Sequence, residues 1–178
     1  MTKIVRASAP SKIILTGEHS VVYGQPALVM AIDKKAFTKV ERTKTITDPF
    51  IQITTQNYNT SVSIPFSTGP EFFKNQLVHL HPLLHIIQTI YIKEGLNDSL
   101  KIDIHSEVPK GAGLGSSDAV CVSLSTALTS VFDLDYSLED ISNLSFKGEK
   151  IIHGTPSGVD NTVATFGGCM KFQQGKIK

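Results

Sequence analysis

The stretch PKGAGLGSSDAV, residues 109–120, holds three glycines and two serines and then becomes apolar. It follows a strictly alternating segment at 99–108 and precedes an amphipathic helical pattern at 116–132. This order places Ser116 and Ser117 at a helix N-terminus, where backbone N–H groups lack intrahelical partners and the helix dipole is positive. Glycines let such a backbone close around an anion without Cβ collisions, so the stretch predicts a phosphate-binding loop.

Two familiar phosphate-binding sequences do not fit this loop. A Walker loop ends in Gly-Lys-Ser/Thr, whereas Leu114-Gly115-Ser116-Ser117 contains no lysine. A dinucleotide-binding G-x-G-x-x-G would need glycine at position 116. The plain alternative is a flexible turn before a helix, which we disfavour because a disordered linker would not lead directly into a well-patterned helix.

The segments before the loop are mostly typical of strands. Pro10 separates the first two of them, because proline cannot donate to a sheet ladder. Alternation and β-branched residues predict strands over 3–9, 11–16, 27–33, 36–44, 50–56, 60–66 and 99–108. A helical period covers 69–95, with Pro82 as a kink or break and Gly95 as its stop.

The segments after the loop add more helices, and the whole predicts an α+β protein. A second helix is expected over 137–154, where Ser137 and Asp140 resemble a capping box. Residues 155–162 are rich in turn formers and predict a loop. Residues 163–178 predict a strand and the beginning of a hairpin.

Composition excludes several classes of partner. The 178 residues are 40% hydrophobic and 19% charged, with a net charge of +1, which predicts neither a nucleic-acid nor a membrane partner. The N-terminus lacks the apolar core of a signal peptide, and no stretch reaches the roughly 20 apolar residues of a membrane span. We therefore expect a cytoplasmic protein whose Cys121 and Cys169 are reduced, buried thiols.

Three ordered stretches give the chain a family resemblance. They are the glycine loop, SKIILTGEHSVVYGQPAL at 11–28 and KGEKIIHGTPSGVDNTVATFGG at 147–168. Together they resemble the GHMP kinases and, within them, the mevalonate kinase family, in its eukaryotic more than its bacterial form. Galactokinases share the Gly-Glu-His but not the Val-Val-Tyr-Gly, and homoserine kinases lack the Gly-Glu-His.

The resemblance covers essentially the whole chain and implies its fold. Residues 1–178 would form the N-terminal domain, which binds ATP and the acceptor. That domain has a mixed β-sheet backed by helices, with a left-handed β-α-β crossover at the phosphate loop. The general handedness of such crossovers would have predicted the opposite hand. The C-terminal domain of the family has no counterpart in the 178 residues, so we expect weak or absent kinase activity for this chain alone.

The resemblance also implies ATP and Mg²⁺ as cofactors. The magnesium ligands would be Ser117 and Glu149, a hydroxyl and a carboxylate that suit a hard cation. Without the motif, Glu149 would be interpreted as a solvated acid. It shares a predicted helix face with positions 138, 142 and 145, two of which are serines. The phosphates would be bound by Lys110, Gly111, Ala112, Gly113, Leu114, Gly115, Ser116 and Ser117.

The acceptor side of the site is implied in the same way. Asp160 matches the proposed general base, which takes the proton of the mevalonate 5-hydroxyl as that oxygen attacks the γ-phosphoryl group. Lys12 matches the lysine beside it, which would keep Asp160 ionised and stabilise the transferring charge. Glu18 and His19 would line the acceptor pocket. Taken alone, Asp160 would be a turn or helix-cap residue.

Two residues depart from the family pattern. Asp118 stands where alanine is usual, and its side chain could repel the phosphates, add a magnesium ligand, or point away. Thr155 replaces a common asparagine. Two other functions stay open for such a chain. One is a non-catalytic nucleotide-binding or regulatory protein, and the other is a GHMP kinase with a different small alcohol acceptor. Family members are often dimers, which implies a homodimer here by analogy.

Overall fold

The computed structural model describes residues 2–44, 48–65, 78–109, 111–154, 156–173 and 176–177. These residues form one seven-stranded sheet and four α-helices. The strands are β1 (Thr2–Thr16), β2 (Ala27–Thr43), β3 (Phe50–Thr55), β4 (Thr60–Pro65), β5 (Ser99–Ser106), β6 (Cys169–Gln173) and β7 (Lys176–Ile177). The helices are α1 (His81–Glu94), α2 (Ser116–Val131), α3 (Leu138–His153) and α4 (Val159–Phe166).

The sheet is mixed, and β2 is its central strand. On one side β2 pairs antiparallel with β1; on the other, Ala36–Thr43 pair with β5 and Ala27–Met30 pair with β6. Strands β3 and β5 are parallel, while the remaining pairs are antiparallel. The predicted α+β class with a mixed sheet backed by helices is confirmed. The left hand of the crossover stays a prediction.

Helices α2 and α4 pack on β1 and β2, and α3 packs on α1, α2 and α4 as an outer layer. The largest hydrophobic core lies between the sheet and helices α1 and α2, around residues such as Ile53, Ile87 and Leu128. A smaller core joins Val29 of β2 to Val163 of α4. The functional residues described below lie where α2, α3 and α4 meet β1.

Strand β1 runs through Pro10, contrary to the prediction that proline would end it. Pro10 pairs with Lys35, whose N–H and C=O bond to Glu107 at 3.0 and 2.9 Å, so the Pro10 nitrogen faces away from β2 and its missing N–H removes no hydrogen bond with that strand. The register with β2 shifts between Pro10 and Ser11. Ser11 and Lys12 are then both buried, which strict alternation along a strand would not allow.

Helix α1 begins at His81, and its proline lies in its first turn rather than at a kink. Pro82 is tolerated there because the first-turn N–H groups have no intrahelical partner. Gly95 ends the helix in the left-handed conformation, as predicted. The expected start at 69 falls outside the described residues. Helix α3 begins with the predicted capping box of Ser137 and Asp140.

Helix α4 contradicts the prediction of a loop over 155–162 and of a strand from 163. Val159 and Val163 are one turn apart and both pack into the core against Val29, so tertiary burial overrides their strand propensity. The hydroxyls of Thr162 and Thr165 donate to the carbonyls of Gly158 and Asn161 at 2.6 and 2.7 Å. Asp160 therefore lies in the first turn of a helix.

Gly17, just after β1, is a position where alanine cannot fit. Its φ is +88°, and a Cβ there would lie 2.6 Å from the Pro26 carbonyl oxygen and 2.8 Å from Ala27 Cα. We expect Gly17→Ala to lower the free energy of unfolding by about 3 kcal/mol, from left-handed strain plus backbone overlap. Gly95→Ala is the control, because its Cβ would meet no atom within 4 Å, and we expect it to cost about 1 kcal/mol. If urea unfolding gave equal losses of free energy for the two variants, the predicted overlap of the Cβ at position 17 with Pro26 and Ala27 would be contradicted.

The two cysteines form no disulfide. Cys121 is buried as predicted, but Cys169 is exposed, because it opens the short strand β6 on the outer side of the sheet. Every α-helix in the described ranges is too short or too polar to span a bilayer.

Candidate active site

The glycine loop is open on its outer side. Gly111, Gly113 and Gly115 have φ values of +71°, +70° and +69°, and residues 111–113 are exposed. A Cβ on Gly115 would lie 3.0 Å from Lys12 Cγ and 3.6 Å from Asp160 Oδ2. A side chain at position 115 would therefore require Lys12 to shift, whereas its contact with Asp160 would be of ordinary length. Lys110 lies outside the described residues.

Lys12 ties the loop to β1. Its backbone N–H donates to the Leu114 carbonyl at 3.0 Å, and its Nζ donates to the Gly113 carbonyl at 3.3 Å. The residue is only 6% exposed. An ammonium group this buried needs charged or polar partners. The Gly113 carbonyl is one of them, so the loop is held against β1 by both the main chain and the side chain of one residue.

Asp160 is the charged partner of Lys12. The Lys12 Nζ lies 3.2 Å from Asp160 Oδ1, and the carboxylate keeps partial access to solvent. The structure thus brings together the loop, the lysine near the N-terminus and the aspartate near the C-terminus, as the resemblance implied. Their catalytic roles stay predictions.

Asp118 and Glu149 form a buried carboxyl pair behind the loop. They are 4% and 8% exposed, and a hydrogen bond joins their side chains. Within the part of the chain that the structure describes, Asp118 Oδ1 and Glu149 Oε2 have no hydrogen-bond partner. Asp118 is directed at Glu149, a contact that the sequence could not predict because it depends on how α3 packs on α2. Its effect on phosphate or magnesium binding stays a prediction.

Burial governs how this pair ionises. It raises the pKa of Glu149 to about 7; the charge of Asp160 adds to the shift, while the hydrogen bond from Asp118 and the charge of Lys12 oppose it. Burial, followed by the charges of Glu149 and Asp160, raises the pKa of Asp118 well above its usual range. Within the described ranges, no three or more His, Cys, Asp or Glu side chains are close enough to hold a metal ion by themselves.

Ser116 and Ser117 differ in their surroundings. Ser117 is exposed at the mouth of the loop. The Ser116 hydroxyl lies 3.0 Å from that of Ser106, which also accepts from the Val108 N–H at 3.2 Å. Asn57 then fixes Ser106, donating to its carbonyl at 2.8 Å and accepting from its N–H at 2.7 Å. No motif marks Asn57 or Ser106, so only the fold reveals their support of the loop.

Helix α3 presents Glu149 beside small residues. Ser142 and Ser145 are buried on that face as predicted, but Leu138, expected on the same face, is exposed. The Asn161 amide donates to the Ser142 carbonyl and hydroxyl at 3.0 and 2.9 Å. This contact joins α4 to α3 and so fixes Asp160, the preceding residue, relative to Glu149.

Glu18 and His19 are exposed and lie just beyond the end of β1. Their proposed contact with the acceptor stays a prediction. Thr155 lies outside the described residues.

A cavity of about 120 Å³ adjoins the loop on the side away from Asp160. Gly111, Ser116 and Ser117 form its edge, and the Tyr58 and His79 rings in its wall stack with centroids 4.5 Å apart. The rest of the lining is mainly apolar, with Leu80, Leu83, Ile104, Val108 and Val120. A flat ring system would find both stacking surface and apolar contacts here. The sequence did not predict this cavity, because its wall comes from four separate segments.

The raised pKa of Glu149 predicts how stability depends on pH. Between 4.5, its ordinary value, and about 7 the folded chain holds this proton more tightly than the unfolded chain does. The free energy of unfolding therefore falls as pH rises through this window, by at most about 3 kcal/mol from this group. We expect Glu149→Gln to reduce the slope and to be more stable than the wild type above pH 7. Urea unfolding in metal-free buffer measures this, and an unchanged slope would contradict the burial argument.

Comparison with known proteins agrees with this geometry. The family model described as GHMP kinases N terminal domain matches residues 83–168. Mevalonate kinase of Pyrococcus abyssi is 35% identical over 183 residues, which cover 100% of this chain and 54% of that protein. The Methanococcus jannaschii mevalonate kinase structure matches with a TM-score of 0.81 at 27% identity, over 100% of this chain and 55% of its own.

A second solved structure, L. major mevalonate kinase in complex with R-mevalonate, matches with a TM-score of 0.74 at 27% identity, over 99% of this chain and 52% of its own. The chain thus spans about half the length of the relatives that it matches. Its fold, the convergence of its three motifs and these similarities together identify it as carrying a GHMP kinase N-terminal domain.

Proposed function

We propose that this protein takes part in the ATP-dependent phosphorylation of the 5-hydroxyl of mevalonate, which gives 5-phosphomevalonate for isoprenoid and sterol precursor synthesis. One observation carries the proposal: Lys12 bonds at once to the Gly113 carbonyl of the loop and to the Asp160 carboxylate. A phosphate-binding backbone and a general base are thereby held on two sides of one ammonium group. The mevalonate bound to the L. major relative supports the choice of acceptor.

The nucleotide would lie along the loop. Its base fits the cavity beside Tyr58 and His79, and its phosphates fit the N-terminus of the 16-residue helix α2. The first-turn N–H groups of α2 have no intrahelical acceptor and point to where the phosphates would lie. This placement directs the terminal phosphoryl group to the end of the loop at Gly115, where Lys12 and Asp160 meet.

The residues around Glu149 fit a magnesium ion. Among the described residues, Glu149 Oε2 is a buried oxygen without a hydrogen-bond partner, and the Ser117 hydroxyl is exposed at the mouth of the loop. Hard oxygen donors of this kind suit Mg²⁺, which commonly takes one or two carboxylates together with substrate phosphates. When bound, Mg²⁺ would offset charge on the triphosphate.

The reaction requires three tasks of this chain's own residues. Asp160 accepts the proton of the 5-hydroxyl while that oxygen forms a bond to the γ-phosphorus and the bond to the ADP oxygen breaks. Lys12 holds the carboxylate in place at 3.2 Å and stabilises negative charge on the transferring group. The loop backbone keeps the phosphates aligned with the acceptor oxygen.

The acceptor would be oriented by Glu18 and His19, with His19 donating a hydrogen bond to the mevalonate carboxylate or to a hydroxyl. A homodimer, expected by analogy with the family, and a cytoplasmic location, expected from the sequence composition, complete the proposal.

A non-catalytic nucleotide-binding protein is the second candidate, and the buried Asp118 is the observation that favours it. The family pattern has no carboxyl group at this position behind the loop, and an ionised Asp118 would repel a triphosphate. A GHMP kinase with another alcohol acceptor is a third.

A panel of acceptor alcohols, assayed with ATP and Mg²⁺, separates the three candidates. The assay uses this chain together with any natural continuation beyond residue 178. Product from mevalonate in preference to other alcohols supports the proposal. Product from another alcohol alone selects the third candidate, and nucleotide binding without turnover selects the second.

A further inference from the structure

Asp118 is a buried acid that the phosphoryl-transfer scheme does not use. It directly follows Ser117 in the first turn of α2, is more than nine-tenths buried, and directs its carboxyl group at Glu149 of α3. One of its two oxygens has no hydrogen-bond partner among the residues that the structure describes, and the same is true of Glu149. A buried acceptor without a partner costs about 1–3 kcal/mol. A ligand that binds both oxygens would recover this free energy.

The charges around this pair favour a cation. The charges acting on Asp118 come from two acids, Glu149 and Asp160, and from one base, Lys12. Lys12 is already paired with Asp160 at 3.2 Å. Even with one proton shared between Asp118 and Glu149, the cluster holds two negative charges against one ammonium group. A triphosphate entering the loop would add further negative charge, which a low-dielectric surrounding penalises strongly.

We propose that Asp118 and Glu149 together bind a divalent cation before the nucleotide arrives, and that Asp118 thereby makes metal a condition for nucleotide binding. The inference rests on the proposed function, and it adds Asp118 to the ligands implied by the resemblance, Ser117 and Glu149. On binding, the proton shared by the two carboxyl groups leaves to solvent, and the two oxygens without partners face the metal. Two carboxylates are the number that Mg²⁺ commonly accepts, with water and phosphate oxygens completing its shell.

Manganese binding to the nucleotide-free chain tests the assignment directly. The electron paramagnetic resonance signal of free Mn²⁺ falls as the ion binds, so a titration gives the affinity without any turnover. We expect the wild-type chain to bind Mn²⁺, and Asp118→Ala and Asp118→Asn to bind it at least about 10-fold more weakly. Glu139→Gln is the matched control, because it removes one exposed acid from α3 and should leave the affinity unchanged.

A second measurement tests the order of binding. A fluorescent ATP analogue should bind the wild type tightly only when Mg²⁺ is present. We expect Mg²⁺ to raise the affinity of the wild type for the analogue at least about 10-fold more than it raises that of Asp118→Ala, because only the wild type offers the metal a second carboxylate. Asp118→Asn keeps the side-chain volume, so it tests the charge even if the alanine variant packs poorly.

The possible outcomes separate this inference from the proposed function. Absence of Mn²⁺ binding by the wild type, or equal Mn²⁺ binding by wild type and Asp118→Asn, would overturn the inference, whether or not the protein phosphorylates mevalonate. Metal binding that depends on Asp118, together with no phosphorylation of mevalonate, would support the inference and contradict the proposed function.

Discussion

Asp160→Asn is expected to lower the turnover of mevalonate by roughly 10²- to 10⁴-fold while leaving nucleotide affinity within about two-fold, because a general base contributes that much and the phosphates bind elsewhere. Asparagine keeps the shape of the side chain and can still bond to Lys12, which lies 3.2 Å from the carboxylate. What it loses is the capacity to accept the hydroxyl proton. Steady-state kinetics and a nucleotide titration on the same protein measure the two effects separately.

The control for this variant is Asp135→Asn, which removes an exposed acid between α2 and α3. Its turnover should equal that of the wild type. Turnover of Asp160→Asn within ten-fold of the wild type would remove Asp160 from the role of base and restrict it to holding Lys12. Loss of nucleotide binding in that variant would instead show that the residue shapes the loop.

Lys12→Met should have the largest effect on stability among the site variants, and it should also lower turnover at least as much as Asp160→Asn does. The methionine preserves the buried aliphatic stem but removes the ammonium group from the Gly113 carbonyl and from Asp160. Breaking a buried ion pair by removing one partner costs about 3–5 kcal/mol; because Asp160 keeps some contact with solvent, we expect about 3 kcal/mol at neutral pH. Urea unfolding gives the value.

A double-mutant cycle tests whether the loss arises from the pair. The double variant Lys12→Met, Asp160→Asn should be more stable, by about 1–2 kcal/mol, than the sum of the two single losses predicts. Each single variant leaves one charge of the pair without its partner, whereas the double variant removes both charges. Strictly additive losses would show that the two side chains are neighbours without an energetic link.

Local patterns predicted those parts of the fold that local interactions determine. The alternation of Leu100, Ile102 and Ile104 identified β5, and the capping box of Ser137 and Asp140 marked the start of α3. Helix α4 was missed because its valines and threonines favour strands, and only their packing against Val29 makes the helix stable. Pro10 was misinterpreted because the pattern could not show that β1 has a free edge.

The site was predictable in its members but not in its arrangement. Lys12 and Asp160 are far apart in the chain, and no periodicity relates them, so the family resemblance alone grouped them. The direction of Asp118 depended on the docking of α3, and the cavity beside the loop depended on four segments meeting. Residues that carry no motif, such as Asn57 and Ser106, became visible only through their hydrogen bonds.

Strand β2 contributes residues to both of the hydrophobic cores described above, so we expect it to make unfolding of the domain cooperative. Its first residues form the ladder with β6 and its last residues the ladder with β5, while β1 follows it along both parts. A break anywhere in β2 therefore disturbs both hydrophobic cores at once. Native-state hydrogen exchange should find the amides of both ends of β2 opening together, in a single step with the free energy of global unfolding. A mutation that weakens either core would then raise the fraction of molecules that lack an intact phosphate-binding loop by the same factor by which it raises the globally unfolded fraction.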